Sequence, residues 1–274
     1  MKISLFISVL LAVCLLAGAA SCTVPSSPTP TSTPTYMSSD DFEYTVDGLS
    51  VTITWYKGAG GDVIIPATMD GTNSVTSIGK SAFRECPNVT SVVIPESVKN
   101  IGDSAFWNCT GLTSIVIPDS IISIDKRAFA YCMSLTSIAL PYGITSIGYG
   151  AFANCTNLNS VTIPNSVTSI GDVAFANCAN LTLISLPDSL KDIGYQAFSQ
   201  CKSLTSIIIP NRVTSISHAA FFGCDNLTSI TISSSVTSIG DGAFFGCPKL
   251  TVTCAWNSYA FDYCVAKGIN YRLL

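Results

Sequence analysis

Leu158-Asn-Ser-Val161-Thr-Ile163-Pro164-Asn-Ser-Val167-Thr-Ser-Ile170-Gly171-Asp-Val-Ala174-Phe175-Ala-Asn-Cys178 is, with the two residues that follow, one copy of a 23-residue unit. Ala-Phe pairs end at Phe83, Phe106, Phe129, Phe152, Phe175, Phe198, Phe221 and Phe244. Three residues after each comes a cysteine: Cys86, Cys109, Cys132, Cys155, Cys178, Cys201, Cys224 and Cys247. Isoleucines at Ile78, Ile101, Ile124, Ile147, Ile170, Ile193, Ile216 and Ile239 keep the same interval. Prolines keep it from Pro95 to Pro210, and Ser233 replaces the next. A fixed period over eight copies is the signature of a solenoid, in which each unit is one coil.

Within a coil the side chains divide by chemistry. Leu158, Val161 and Ile163 point inward from a short strand and its approach. Pro164 ends that strand at a corner, because proline lacks the N–H of a ladder. Val167 and Ile170 begin the next side, and Gly171 allows a tight turn. Ala174-Phe175 opens a short helical or irregular turn that drives a ring into the core, and Cys178 closes the coil as a small buried group. One coil cannot bury these residues alone; stacked coils can.

The flanks differ. Residues 1–22 read as an export signal, with Lys2 before a largely apolar run and small residues leading to Cys22. Cys22 resembles the lipidated cysteine of a bacterial lipoprotein, and ordinary cleavage nearby is the competing reading. Residues 23–39 are rich in Pro, Ser and Thr and form an extended tether. Residues 40–72 hold two alternating segments around Asp47-Gly48, the mark of a hairpin, and read as an N-terminal cap. Residues 73–250 are the solenoid. In residues 251–274 Ser258 and Gly268 bracket a short helix before a final strand, a C-terminal cap.

The unit Leu-x-x-Ile-x-Ile-Pro-x-x-Val-x-x-Ile-Gly-x-x-Ala-Phe-x-x-Cys resembles the BspA-like class of leucine-rich repeats, over roughly residues 42–274. The resemblance implies a right-handed, curved, β-rich coil with a parallel sheet on one face. It also implies a bacterial surface or secreted protein of the kind linked to adhesion, without catalytic residues. Asp125 and Ser217 stand where the pattern has Gly. The Asn ladder of better-known leucine-rich repeats is missing, and Ser97, Ser120, Ser166, Ser189 and Ser235 share a corner where their hydroxyls would bond to turn backbone.

Chemistry is sparse in this chain. Cysteines 23 apart form a line, whereas a metal needs ligands converging on a point, so no metal site and no cofactor is expected. Cys254 and Cys264 lie off the line and would pair only in an oxidising compartment. His218 is the single histidine; Ser217 beside it and Asp241 one coil on would complete a triad, but His218 occupies a variable turn place shared with Asp103, Tyr149 and Tyr195. The sequence therefore points away from an enzyme. Charged residues are 11% of the chain and net charge is −4, which gives nucleic acid nothing to bind and leaves the membrane reachable only through a lipid anchor.

Two surfaces remain as binding candidates. One is the outward strand face, with Thr90, Val93, Thr113, Val116, Thr162, Thr205, Ile208 and Thr231, an uncharged face with an apolar stripe too irregular for an ice-binding ladder. The other is the set of variable turns, where Trp107, Tyr131, Tyr149 and Tyr195 gather with Arg84, Lys126, Arg127, Phe222 and Phe245. The expected function is a cell-surface or secreted binding module that docks a protein or glycan surface, with adhesion or host-protein interaction as its use. The alternative is an envelope structural protein without a specific ligand.

Overall fold

The structure, a computed structural model, describes residues 38–274. The export-signal, Cys22 and most of the tether readings lie outside the described residues. The chain is a β-solenoid of about ten turns. Equivalent residues stack 23 apart: Ser137 pairs with Ser160, Ile138 with Val161, and Ala139 with Thr162, all in parallel register.

Each coil has two strand sides. The first runs through Gly61–Ile64, Val89–Val93, Ser114–Val116 and onward to Ser229–Ile232 and Thr251–Cys254. The second is formed by the Val-Thr-Ser-Ile piece. There Ser146–Ile147, Ser169–Ile170, Asp192–Ile193, Ser215–Ile216 and Ser238–Ile239 make a five-stranded parallel sheet. The one-sheet expectation is thereby extended: the piece read as a new side is itself a ladder, with Ile147, Ile170 and Ile193 in line. Between the two sides, the proline corner closes as a turn. The Val167 N–H donates to the Pro164 carbonyl at 3.1 Å, and the Val236 N–H donates likewise to Ser233 at 3.1 Å. Ser233 therefore serves the corner as well as proline does, because the turn uses the carbonyl.

The third side is a run of turns, which resolves the helical-or-irregular alternative. Its N–H groups alternate in direction. Those of Val173, Phe175 and Asn177 donate to Tyr195, Ala197 and Ser199 of the next coil at 2.7–2.8 Å. Those of Ala174 and Ala176 donate three residues back, to Gly171 and Val173. This alternation puts two residues per coil in the left-handed region, for example Val173 (φ 51°) and Asn177 (φ 59°). Asn and Gly accept that region readily; a larger L-residue pays about 1–2 kcal/mol there. Gly171 serves a purpose other than turning. A Cβ on it would lie 3.0 Å from the backbone of Ile147, Gly148 and Tyr149, so glycine eases the close approach of coils, though Asp125 and Ser217 hold the same place elsewhere. Asp125, in the equivalent place, keeps its N–H bond to Ile101 at 2.9 Å.

The centre of the solenoid is a column of phenylalanines. From Phe106 to Phe221 successive ring centroids are 5.3–5.5 Å apart and nearly parallel, an offset stack. Tyr56 stacks on Phe83 at 4.9 Å at one end, and Tyr263 meets Phe244 edge-on at 6.1 Å at the other. Tyr56 comes from Ser50–Tyr56, which is antiparallel to Phe42–Asp47 and parallel to Asn73–Ile78. Tyr263 lies on the helix Tyr259–Lys267, which Ser258 caps by accepting from the Phe261 N–H at 3.2 Å and Gly268 ends at φ 66°. Both ends of the column thus finish on a ring with a polar tip.

Phe152→Ala removes a fully buried ring from mid-column and should cost about 3–5 kcal/mol. Urea unfolding of the two proteins measures this, and a cost under about 1 kcal/mol would mean that the column is not what holds the coils in register.

Candidate functional site

The cysteine line is the first place to look for chemistry. From Cys109 to Cys224 the ladder thiols are buried. Each is also a hydrogen-bond donor: Cys178 Sγ donates to the Phe152 carbonyl at 3.2 Å, and the same contact recurs from Cys109 to Cys247 at 2.9–3.2 Å. The Phe152 carbonyl also accepts the Cys155 N–H at 3.2 Å. The thiol therefore ties one coil to the coil before it, which is more than the small apolar filler read from sequence. Burial pushes the thiols of Cys109, Cys155 and Cys201 up to about 12. A thiol so protonated is a poor nucleophile and a poor metal ligand. Among the described residues no three His, Cys, Asp or Glu side chains converge. Cys254 and Cys264 are both buried and both free thiols.

Ser217, His218 and Asp241 do not assemble. The Ser217 hydroxyl donates to the Ile193 carbonyl at 2.7 Å, the His218 ring stacks on Tyr195 at 5.6 Å, and Asp241 pairs with Lys267 at 3.8 Å. His218 and Asp241 share one ladder place, so their side chains point in parallel and not toward each other, and Ser217 faces its own backbone partner.

The strand face divides in two. Val93, Val116 and Ile208 stand out from the first sheet, exposed by 40%, 56% and 68%, and Leu183 on the same side reaches 64%. Thr162 is exposed and Thr231 half-buried beside Ile208, with which it is paired. Three of the entry threonines are committed elsewhere, while the exposed Thr205 lends its carbonyl and, among the described residues, not its hydroxyl. Thr113 donates to the Thr90 carbonyl at 2.9 Å, Thr228 to the Thr205 carbonyl at 3.0 Å, and Thr90 to Asp62 Oδ1 at 3.0 Å. Those hydroxyls fasten coils together, which leaves the apolar residues with Thr162 and Thr205 as the part of this face open to a partner. The corner serines do the same: Ser120, Ser189 and Ser235 donate to the preceding coil at 2.6–2.9 Å, while the buried Ser166 hydroxyl finds no partner.

The turn side brings three of its four aromatic candidates together. Trp107 and Tyr131 meet edge-on at 5.6 Å. The Arg84 guanidinium lies 4.6 Å over Trp107, and that of Arg127 lies 5.1 Å over Tyr149. Two adjacent hollows of about 320 and 260 Å³ share Trp107, Arg127 and Tyr131 as a wall; Arg84 and Ser104 line the first, Tyr149, Asn154 and Val173 the second. Tyr195 is not part of this group. Asn154 and Val173 were not legible as site residues, since nothing in their local sequence sets them apart from other turn positions. A larger crevice of about 600 Å³ lies where the helix Tyr259–Lys267 leaves the last coil, lined by Phe244, Phe245, Tyr263 and Ile269.

Comparison with known proteins agrees with this architecture. The family model for the BspA type leucine rich repeat region matches residues 67–182 and 145–267. A leucine-rich repeat protein of T. pallidum (TpLRR) is similar in structure, with TM-score 0.57 and 28% identity over 88% of this chain and 98% of its own. So is a leucine-rich cell surface protein of Faecalibacterium prausnitzii A2-165, with TM-score 0.51 and 29% identity over 82% of this chain and 77% of its own. No curated protein matches.

The thiols make a pH prediction. Their folded-state values lie above the ordinary 9.0, so the folded protein keeps protons that the unfolded chain releases. Their contribution to stability is complete below about pH 9 and is lost as pH rises toward 12. The urea midpoint should fall from about pH 8 to about pH 10.5, and Cys155→Ala should reduce that fall.

Proposed function

The chain belongs to the BspA-type leucine-rich repeat family, and from that premise we propose that it is an exported binding module, displayed at the cell surface or secreted, that engages a protein partner through its repeat array. Adhesion is the use that fits best. The observation that carries this reading is the apolar stripe Val93, Val116, Leu183 and Ile208, held outward on the first strand side. Val93 and Val116 are neighbours in register, and Ala139, Thr162 and Ser185 separate them from Ile208. Exposed apolar groups collected on one side mark interaction surfaces, and a solenoid presents them over a length that one compact domain cannot. The stripe carries no charge of its own, so binding there would depend little on salt. The similarity to a protein described as a leucine-rich cell surface protein supports display outside the cell.

Display would come from residues 1–22 and Cys22, with residues 23–39 as the spacer that holds the solenoid off the membrane. A diacyl or two-signal anchor gives stable attachment where a single chain does not.

Two experiments test these readings. Immobilised protein is offered matrix proteins and glycans; saturable binding to at least one protein is expected. Val116→Asp with Ile208→Asp should weaken it at least tenfold with the fold intact by circular dichroism. Unchanged binding in the double variant, or no saturable binding to any of them, would sink the strand-face reading and favour an envelope structural role. Metabolic labelling with a palmitate analogue should mark the wild type and not Cys22→Ala; equal labelling removes the anchor.

A further inference from the structure

The turn side carries an independent feature that does not rest on the strand-face reading. Its left-handed positions are filled in most coils by small or amide residues: Ser81, Ser104, Gly150 and Gly242 at the first, Asn108, Asn154, Asn177 and Gly223 at the second. Around the two hollows the occupants change. Arg127 (φ 55°) and Val173 (φ 51°) hold the first position, and Tyr131 (φ 63°) the second. Valine is branched at Cβ and is among the residues least suited to this region. Away from the hollows Glu85, Gln196 and Gln200 are also long residues in this region, but the branched Val173 and the aromatic Tyr131 occur only at the hollows among the described residues, and strain collected at a hollow is a mark of function.

The chemistry of the walls is specific. Aromatic faces from Trp107, Tyr131 and Tyr149 offer contact to a flat set of C–H bonds. Among the described residues no carboxylate lies within ion-pairing distance of Arg127, whereas Arg84 is 3.5 Å from Glu85 and Lys126 is 3.6 Å from Asp103. Arg127 is thus the cation with capacity to spare, and its planar fork suits a carboxylate. Asn154 accepts from the Asn177 amide at 2.8 Å, which leaves its own NH₂ group available to a hydroxyl at the rim. In a chain of net charge −4, this is a local cationic spot lined with rings.

We propose that the hollows between Trp107, Arg127, Tyr131 and Tyr149 form a binding site for a carboxylated sugar, a uronic acid unit of an acidic glycan. The C–H face of the ring lies on the aromatic walls, the carboxylate meets Arg127, and ring hydroxyls meet Asn154. Volumes of about 260 and 320 Å³ fall at or below the low end of drug-sized sites, a scale that suits one small ring in each and not a folded peptide segment. Two hollows sharing one wall suit two adjacent rings of a chain.

Calorimetric titration of the purified protein with tri-galacturonic acid is the test, with its methyl ester and a hexaglutamate peptide as comparisons. Saturable binding of the acid is expected, at least tenfold tighter than the ester or the peptide. Arg127→Gln should weaken it at least tenfold while leaving the urea midpoint nearly unchanged, because glutamine already occupies the equivalent place at Gln196. Tyr131→Asn should weaken binding equally and raise the midpoint, since Asn108 and Asn154 hold that place in neighbouring coils. A merely structural Tyr131 would lose stability and leave binding alone. The proposal is overturned if the acid does not bind, if the peptide binds as tightly, or if Arg127→Gln binds like the wild type. Binding here is read separately from the strand face: Val116→Asp with Ile208→Asp should leave tri-galacturonic acid binding unchanged.

Discussion

The fold depends on the phenylalanine column and on the carbonyl behind each ring. A coil of 23 residues has too little interior to bury its own side chains, so each ring must be covered by the ring above and below it. The same residue sets the backbone. The Phe175 N–H reaches forward to Ala197, and its carbonyl accepts the N–H of Cys178 and the thiol of Cys201. One residue per coil thus combines the largest apolar burial with two bonds to the coil that follows. Offset stacking adds about 0.5–1.5 kcal/mol per pair beyond area burial, small singly but repeated along the whole array.

This arrangement explains the low charge of the chain. Polar atoms in such a stack have partners one coil away, at a fixed and short distance. Ser, Thr, Asn and Cys are short enough to reach a neighbouring carbonyl and small enough to repeat without crowding. Thr168 and Thr237 on the second strand side, the serines of the proline corner and the buried thiols all bond across coils in this way. Lys or Glu at such places would set like charges one above another, which a parallel ladder penalises. Charge is accordingly left mostly to the turns, where sign varies from coil to coil through Lys80, Asp103, Lys126 and Asp172, and Asp192 on the second strand side lies between Ser169 and Ser215 with no charge stacked on it.

Legibility in the sequence follows from period and residue type. The Phe, Cys, Ile and Pro places announce themselves because stacking tolerates little variation there, and the solenoid follows from them. The second ladder is harder to read, because its strands are only two residues long and Val-Thr-Ser-Ile lacks a full alternating pattern. The role of Gly171 is misread for a similar reason: a tight turn and a close approach both call for glycine, and only the stacked coil distinguishes them. The thiol donors are invisible because cysteine in a core reads as a small hydrophobe. Of the binding surfaces, the outward strand residues can be listed from alternation alone. Their division into projecting Val93, Val116 and Ile208 and fastened Thr90 and Thr113 requires knowing which carbonyl lies within reach.

The turn cluster lies at the limit of such reading. Trp107, Tyr131 and Tyr149 come from three different coils, and only the 23-residue register brings them to one place. Their backbone conformation cannot be inferred locally, since the left-handed places hold Ser, Arg, Gly, Val, Gln and Ala in turn. That very variety is informative once the structure fixes the conformation. A position whose backbone is imposed by hydrogen bonds to the next coil accepts any side chain, at a cost that rises with bulk and branching. The Val173 N–H bond to Tyr195 holds its backbone left-handed whatever the side chain prefers. Stability therefore gives no reason to put Val, Tyr or Arg there in place of Asn or Gly. Strand face and turn side are also separated by the Phe column, so either can change without disturbing the other. A scaffold built this way can hold two unrelated binding surfaces, each altered by substitutions that the column does not register.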